Sequence, residues 1–298
     1  MDISSTGLRV LRQIAESGSF TAAAARLGYT QSAVSRQAAT LEHSAGATLF
    51  ERRPDGVRLT PAGLTLLRHA HTILASLTAA ERELTAGSLP QTELVRLGAV
   101  PSAGSAILPA ALAHLAKADP QITVTTREGT TPSLIRALRA GSLDLAVLTS
   151  RPPHRPFDSE LPRLNLQTVA DTELVVAVSS TGQFAGRTTV HVDELADAAW
   201  IAAPPSNSGP LLGVWPGLPG RPRVLHSARD WLTKLQLVAG GFGVTTVPSG
   251  LSTMLLPGVN LLRVDGTPPE IRRVHVARLN GHPTPAITAA THAITTAA

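Results

Sequence analysis

The stretch Ser19–Thr60, SFTAAAARLGYTQSAVSRQAATLEHSAGATLFERRPDGVRLT, decides the fold of the N-terminal part of the chain. Four successive alanines favour a helix, and the short turn Gly28–Thr30 ends it and leads into a second helix, predicted from Gln31 to about Ala45. Arginines then flank the dipeptide Asp55–Gly56, which is a hairpin turn signal. The pattern predicts two helices joined by a tight turn and followed by a basic hairpin.

The second helix of this stretch has two opposite faces. Helical periodicity places apolar residues on one face, namely Val34, Ala38, Leu41 and Ala45. The opposite face is short, polar and free of acid apart from Glu42 at its edge, and it carries Gln31, Ser32, Ser35, Arg36, Ala39 and His43. Gln can bind adenine through two hydrogen bonds, and Arg can bind guanine or a phosphate. An ordinary solvated face usually carries Lys and Glu instead, so we interpret the polar face as one that reads DNA.

A long helix is predicted after the hairpin, from Pro61 to about Ala86, with Thr60 as its N-cap. Six apolar residues recur at alternating spacings of four and three, which is a heptad seam: Leu66, Ala70, Ile73, Leu77, Ala80 and Leu84. Leu67 and Leu74 form a second stripe, expected on the winged domain or on a partner. A single long core helix is the alternative. A linker of this length needs a partner for its apolar side, so we expect antiparallel pairing with a second copy through the large seam residues Leu66, Ile73, Leu77 and Leu84.

Beyond the flexible break Gly87–Pro90, strand-like and helix-like segments alternate from Glu93 onward. This alternation predicts a mostly parallel sheet with helices on its faces. We expect two α/β subdomains, residues 91–163 with 267–298 and residues 164–266, between which the chain crosses twice. Open α/β sheets bind ligands at the carboxyl ends of their strands, so a cleft between the subdomains is the expected ligand site.

Composition limits the possible classes of protein. The 298-residue chain has no cysteine, which excludes thiol redox sensing, disulfides and thiolate metal sites. It has neither an apolar run of roughly eighteen residues nor a signal-peptide pattern, so we expect a cytoplasmic protein without membrane contact. The formal net charge is +5, but the excess is not concentrated in residues 1–90, so charge alone favours DNA only slightly. No catalytic, cofactor or metal-binding motif is found, and we predict no catalytic residue, cofactor or metal.

The segment from Ser19 to Gly63 resembles the winged helix-turn-helix of the LysR-type transcriptional regulators. The family pattern is matched at Ser19, Phe20, Ala23, Ala24, Leu27, Gln31, Ser32, Val34, Ser35, Leu41, Glu42, Gly46, Leu49, Phe50, Arg52, Leu59, Thr60 and Gly63. The resemblance implies a winged domain over residues 1–60, a linker helix over 61–87 and an effector-binding domain over 91–298. It also implies DNA contacts from the helix at Gln31, Ser32, Ser35 and Arg36, with Arg52 or Arg53 supporting the wing. Asp55 at the wing tip departs from the basic residue of many members.

The C-terminal half resembles the family's effector-binding domain, which is similar in fold to periplasmic solute-binding proteins. The similarity lies in the segments LGAVPSAGSAILP, GTTPSLIRALRAGSLDLAV and LVAGGFGVTTVP, and it implies a ligand cleft lined by Ser102, Thr130, Thr131 and Thr149. Hydroxyls and helix N-termini suit a carboxylate or another small anion. Ser102 and Thr131 are equally well explained as plain N-caps. On the far wall, Ala202, Ala203 and Pro204 stand where a polar contact is expected, with Ser206, Asn207 and Ser208 in a loop, so an apolar wall or no effector at all remains open.

These features favour a ligand-responsive transcription factor. We expect a homo-dimer or tetramer that binds double-stranded promoter DNA and a small-molecule effector, and the resemblance implies RNA polymerase as a further partner. A small-molecule transport or binding protein is one alternative, which the N-terminal motif and the missing signal-peptide pattern disfavour. An enzyme with an accessory DNA-binding domain is the other, and it lacks a catalytic constellation.

Overall fold

The structure is a computed structural model that describes residues 2–54, 56–86, 93–154, 162–204 and 212–298. Internal contacts divide the chain into two units. The first contains Met1–Thr149, Asp158–Val169 and His275–Ala298, and the second contains Ser150–Phe157 and Ala170–Val274.

Three helices open the chain: α1 (Ser5–Ser17), α2 (Phe20–Leu27) and α3 (Gln31–Ala45). A hydroxyl group caps the N-terminus of each helix, and a left-handed glycine ends each of them; the glycines are Gly18, Gly28 and Gly46. The predicted bounds of α3 are confirmed. Three of the four residues on its predicted apolar face are buried, since Val34, Ala38 and Leu41 are at most 3% exposed, and Ala45 is half-buried.

The basic hairpin consists of the antiparallel strands β1 (Phe50–Arg53) and β2 (Gly56–Leu59). Its second strand is fixed to the end of α1, because the Val57 N–H donates to the Gly18 carbonyl at 2.9 Å. Gly56 has φ 136°, and an added Cβ would lie 2.5 Å from the same carbonyl oxygen. This position therefore requires glycine. Asp55 lies outside the described residues.

The long helix α4 runs from Pro61 to Ala86, as predicted. Leu67 and Leu74 are buried against the chain's own N-terminal helices, which decides between the two locations expected for this stripe. Ala70 is also fully buried, in a cluster with Leu8 of α1. Its predicted place in the seam is therefore wrong, because its side chain is already covered within the chain.

The other predicted seam residues differ in exposure. Leu66 is half-buried, whereas Ile73, Leu77 and Leu84 are 45%, 38% and 87% exposed. The C-terminal half of α4 thus presents large apolar side chains that the described part of this chain covers only in part.

The remaining elements are β3 (Glu93–Ala99), α5 (Pro101–Ala118), β4 (Ile122–Glu128), α6 (Thr131–Arg139), β5 (Leu145–Ser150), β6 (Leu164–Ser179), β7 (Thr189–His191), β8 (Ala199–Ala202), β9 (Arg223–Ser227), α7 (Trp231–Ala239), β10 (Thr245–Pro248), β11 (Val259–Asp265), β12 (Ile271–Leu279) and α8 (Pro285–Ala297). Short 3-10 helices cover Val192–Leu195 and Ser249–Met254. Strands β6 and β12 contain two of the points at which the chain passes between the units.

In the first unit the strands follow the order β4-β3-β5-β12, and β3 is parallel to both β4 and β5. The second unit departs from the predicted mostly parallel arrangement, because β6 is antiparallel to both β10 and β11. The reason is that β6 enters this unit as one 16-residue strand instead of following a helical crossover. Parallel pairing is kept between β7 and β11 and between β8 and β9.

Within the described ranges, no helix is both long and apolar enough to cross a membrane.

Candidate DNA interface and effector site

The polar face of α3 is open to solvent. Gln31, Ser32 and Arg36 are exposed and Ser35 is half-buried. The Thr30 hydroxyl caps the helix by accepting the Ala33 N–H at 3.2 Å, and its oxygen lies 3.1 Å from the Ser32 hydroxyl. The first turn of a helix also presents N–H groups that have no acceptor within the helix, together with the positive end of the helix dipole. This end of α3 is therefore suited to an anionic backbone such as that of DNA.

Arg52 connects the wing to the polar face. Its Nη2 donates to the Ser35 hydroxyl at 3.5 Å, and its guanidinium lies 5.2 Å from the centre of the Phe20 ring. The structure thus brings together two residues that the sequence places 17 positions apart. Arg53 instead pairs with Glu51 at 3.0 Å, and both side chains are about half exposed. Of the two predicted wing arginines, only Arg52 has a described bond to α3.

Glu42 fixes the start of the wing against α3. Its Oε1 accepts the N–H groups of Leu49 and Phe50 at 2.7 and 3.1 Å. The sequence indicated only that Glu42 is an acid at the edge of the polar face. Its hydrogen bonds explain why an acid occupies this position, because the carboxylate accepts two main-chain N–H groups at the start of the wing.

A charged junction around Glu16 ties the winged part to the effector-binding part within the first unit. Glu16 is 7% exposed; its carboxylate pairs with Arg26 of α2 at 3.0 Å and with Arg127 of β4. Arg136 of α6 donates to the main-chain carbonyl of Glu16 at 3.1 Å. Burial alone would raise the pKa of Glu16. The hydrogen bond and charge of Arg127, a hydrogen bond with Ser142 and the charge of Arg26 together hold the pKa below its ordinary value. Sequence reasoning missed this junction.

A second contact between these parts involves His71 of α4. An added Cβ on Gly141 would lie 2.3 Å from the ring Nδ1, so the imidazole lies directly against the backbone of that residue. The ring Nε2 is buried without a hydrogen-bond partner among the described residues. Burial lowers the pKa of His71 to about 4, and the charges of Arg12 and Arg96 lower it further. The hydrogen bond to the Ala140 backbone acts in the opposite direction and raises the pKa. His71 is therefore neutral at physiological pH.

The four predicted effector residues lie at the carboxyl ends of β3, β4 and β5. Thr130 is the N-cap of α6 and accepts the Ser133 N–H at 3.4 Å. Thr131 is the first residue of α6, and its hydroxyl donates to the Thr149 carbonyl at 3.5 Å. Ser102 lies inside the first turn of α5, where Val100 is the N-cap without a side-chain bond.

The interpretation of Ser102 and Thr131 as N-caps is therefore wrong. In α5 the proline at position 101 occupies the first helical position, so the N-cap is Val100, two residues before Ser102. In α6 the capping hydroxyl belongs to Thr130. This leaves Ser102 free of a capping role and Thr131 bonded only to the neighbouring strand end among the bonds described.

Main-chain bonds hold the three strand ends side by side. The Gly129 N–H donates to the Ala99 carbonyl and the Val100 N–H to the Val147 carbonyl, each at 3.1 Å. The N-termini of α5 and α6 consequently open at the same edge of the sheet, where Thr130 is exposed and the other three predicted residues are half-buried. Two helix N-termini and several hydroxyls at one edge are suited to a small anion.

The residues predicted for the far wall lie in the second unit. Ala202 is buried at the end of β8, and Ala203 and Pro204 are half-buried. Ser206, Asn207 and Ser208 lie outside the described residues. Among the residues that the structure describes, no group of three His, Cys, Asp or Glu side chains is placed to hold a metal ion.

Two family models match the chain. The "Bacterial regulatory helix-turn-helix protein, lysR family" matches residues 6–64, and the "LysR substrate binding domain" matches residues 90–298. Among curated proteins, the chain is similar to a probable hydrogen peroxide-inducible genes activator of Mycobacterium avium, with 30% identity over 81% of this chain and 76% of that protein. It is also similar to the small neutral protease regulatory protein of Streptomyces coelicolor, with 30% identity over 93% of this chain and 83% of that protein.

Solved structures of similar fold span the whole chain. A full-length OxyR variant from Pseudomonas aeruginosa is 23% identical, with a TM-score of 0.61 over 100% of this chain and 99% of that one. Full-length CbnR, solved in complex with its target DNA, is 22% identical, with a TM-score of 0.56 over 99% of this chain and 100% of that one. The family models cover both the winged helices and the α/β part, and the chain belongs to the LysR family of DNA-binding transcriptional regulators with an effector-binding domain.

Proposed function

We propose that α3 enters the major groove of promoter DNA and that the wing contacts the flanking backbone. In this proposal the bases or phosphates are contacted by Gln31, Ser32, Ser35 and Arg36, and the backbone by Arg52 and Arg53. The observation that carries it is the solvent-open polar face of α3, opposite Val34, Ala38 and Leu41, which are at most 3% exposed. The matched ranges 6–64 and 90–298 support a division into a winged domain (1–60), a linker helix (61–87) and an effector-binding domain (91–298).

The residues of the interface have different expected roles. Gln31, at the start of α3, has the side chain that recognises adenine through two hydrogen bonds, and Arg36 suits guanine or a phosphate. Arg52 is exposed and already bonded to Ser35, so it places a positive charge between the helix and the wing. A charge in that position strengthens binding to any DNA sequence instead of selecting one.

Two or four copies are proposed to act together through the exposed residues of α4, with Leu66, Ile73, Leu77 and Leu84 at the contact. Pairing by a two-fold axis would present two recognition helices to a two-fold DNA site. Few basic residues lie on each winged domain, so binding by an assembly also explains how useful affinity arises. RNA polymerase is the further partner that a regulator of transcription requires.

The proposed effector is a carboxylate or another small anion held by Ser102, Thr130, Thr131 and Thr149. The supporting observation is that two helix N-termini and these hydroxyls share one edge of the sheet. Binding there would change the arrangement of the winged domains and hence the bend of the DNA. We propose no catalytic role for any residue of the chain.

The relatives that are named as probable hydrogen peroxide-inducible activators raise the question of peroxide sensing. A peroxide sensor based on thiols needs a cysteine that forms a sulfenic acid or a disulfide. This chain has none. We therefore propose that a bound effector, not thiol oxidation, controls it, and treatment with hydrogen peroxide should leave its affinity for DNA unchanged.

The test of the DNA interface is a pair of matched Gln→Ala variants on α3. Gln31→Ala should reduce the preference for the operator over unrelated DNA by about 1–3 kcal/mol, the value of a bidentate base contact. Gln37→Ala is the control, because this half-buried residue lies on a different side of the same helix. Arg52→Ala should weaken binding to both DNAs similarly and reduce the salt dependence. An unchanged preference of Gln31→Ala for the operator would show that α3 does not recognise the bases.

A further inference from the structure

The C-terminal end of α1 is capped by a residue from the effector-binding part. The last carbonyls of a helix have no donor within the helix, and a positive charge beside them is favourable. The last turn of α1 carries no basic residue. Arg136 of α6 supplies the charge instead, because its Nε donates to the Glu16 carbonyl at 3.1 Å. An added Cβ on Gly18 would lie 3.9 Å from the Cδ and Nε atoms of the same arginine. Arg136 therefore lies against the turn that joins α1 to α2.

The same turn is bonded to the wing, which carries a residue of the proposed DNA interface. The Gly18 carbonyl accepts the N–H of Val57 in β2 at 2.9 Å. Val57 lies opposite Arg52 in the antiparallel pair of β1 and β2. Arg52 in turn donates to the Ser35 hydroxyl of α3 at 3.5 Å. A contact series of directly bonded or packed residues thus runs from Arg136 to the polar face of α3, as energetic coupling between sites requires.

The other end of α6 lies at the proposed effector site. Thr130 caps this helix and Thr131 is its first residue, whereas Arg136 is five residues further on, about 7.5 Å along the axis. Five of the nine side chains of α6 are buried, so the helix is expected to move as one piece. Arg127, three residues before Thr130, pairs with the Glu16 carboxylate. The residues on both sides of the predicted effector hydroxyls are therefore bonded to the same end of α1.

We propose that α6 transmits effector binding to the DNA interface within a single chain. An anion held at the N-terminus of α6 shifts this helix, Arg136 shifts the turn at Gly18, and the turn repositions the wing with Arg52. Arg136 and Glu16 are positioning residues, since in this proposal neither contacts the effector or the DNA. The inference deepens the proposed function and rests on it, because it takes the effector site and the wing contact from there and specifies what connects them.

Hydrogen–deuterium exchange of the full-length chain tests this contact series from its DNA end, because coupling between two sites is reciprocal. The probe is a DNA duplex selected from a random-sequence library by repeated binding to the natural chain. None of the proposed DNA contacts lies on α6, so slower exchange in Thr131–Arg139 at saturating duplex reports coupling instead of direct contact. We expect the exchange of these amides to slow about fivefold or more, the lower end of the usual coupling between sites.

Two arginine substitutions on α6 form a matched pair. Arg136→Met keeps an apolar stem but removes the charge and the donor to Glu16, so the slowing should fall below about twofold. Arg139→Met is the control and should keep the full slowing, because Arg139 donates to the Pro162 carbonyl of the effector-binding part at 3.3 Å. Arg136→Lys keeps the charge and an N–H donor and should retain most of the slowing. Each variant is compared with itself, with and without DNA, so a general loss of stability does not imitate the effect.

The outcomes separate this inference from the proposed function. If the duplex protects α3 of the natural chain but leaves exchange in α6 unchanged, the inference is wrong and DNA recognition by α3 still stands. Slowing that is as large in Arg136→Met as in the natural chain, or that is lost equally in Arg139→Met, would overturn the role of Arg136. A library that yields no preferred sequence would overturn both the proposed function and the inference. Slowing that Arg136→Met loses and Arg139→Met keeps supports the contact series.

Discussion

Replacing Glu16 by Gln removes the negative charge from the junction between α1 and the effector-binding part while keeping almost the same shape. Glu16 is 7% exposed, but its partners Arg26 and Arg127 are 52% and 40% exposed. Breaking a fully buried ion pair costs about 3–5 kcal/mol, whereas an exposed pair contributes at most about 1 kcal/mol. Because only one side of this pair is buried, we expect Glu16→Gln to lower the free energy of unfolding by about 2 kcal/mol near neutral pH.

The pH dependence of this stability difference tests whether the charge of Glu16 causes it. The pKa of Glu16 lies below its ordinary value of 4.5 in the folded chain. A carboxyl group with a lowered folded-state pKa stabilises the fold above the unfolded pKa, and this contribution is lost as the pH falls through the folded pKa. The difference between the natural chain and Glu16→Gln should therefore be full near neutral pH and should shrink below about pH 4.5.

Urea unfolding followed by circular dichroism measures both quantities. The control is Glu51→Gln, the same substitution in a pair whose side chains are 47% and 49% exposed, and it should change the free energy of unfolding by less than about 0.5 kcal/mol. A loss in Glu16→Gln that is as large at about pH 4 as at neutral pH would refute the electrostatic explanation, as would a loss no larger than that of Glu51→Gln.

Three further predictions concern Gly56, Gly141 and His71, all of which lie in the first unit. Gly56→Ala should lower the free energy of unfolding by about 2 kcal/mol or more, because the new Cβ clashes with the Gly18 carbonyl and the backbone has a positive φ. Gly182→Ala is the control: its φ is 98°, but an added Cβ has no atom within 4 Å, so this variant measures the cost of the positive φ without a clash. Gly141→Ala should be destabilising in urea titrations, and His71→Ala in the same chain should remove much of that loss because the clash is with the ring. His71 has a lowered folded-state pKa, so its contribution to stability is present above pH 6.5 and is lost as the pH falls toward 4, by up to about 3 kcal/mol. His71→Gln should lack that loss, and an NMR titration that gives His71 a pKa near 6.5 would contradict the burial argument.

Local chemistry explains what could be predicted. The helices α2 and α3 follow from hydroxyl caps and glycine stops, each of which acts within a few residues. The hairpin follows in the same way from its turn residues. The cap of α5 shows the limit of this reasoning, because the proline at position 101 is the first helical residue, and Ser102 therefore lies inside the first turn instead of capping the helix.

Interactions between distant residues could not be predicted. Glu16 and Arg127 are 111 residues apart, and neither shows a pattern that indicates its partner. The burial of Ala70 depends on where Leu8 of another helix lies, so heptad spacing alone placed it in the seam. The antiparallel pairing of β6 depends on the path of the chain between the units, which the alternation of strands and helices does not specify.

The hydrogen bonds of Glu42 to the start of the wing have a thermodynamic consequence for DNA recognition. They hold the wing and α3 in one arrangement before any DNA is present. The conformational entropy of ordering these two elements is therefore lost during folding, and association with DNA does not have to supply it again. A DNA-binding surface that is already ordered loses less conformational entropy on binding. The chain can therefore bind DNA despite its modest number of basic side chains.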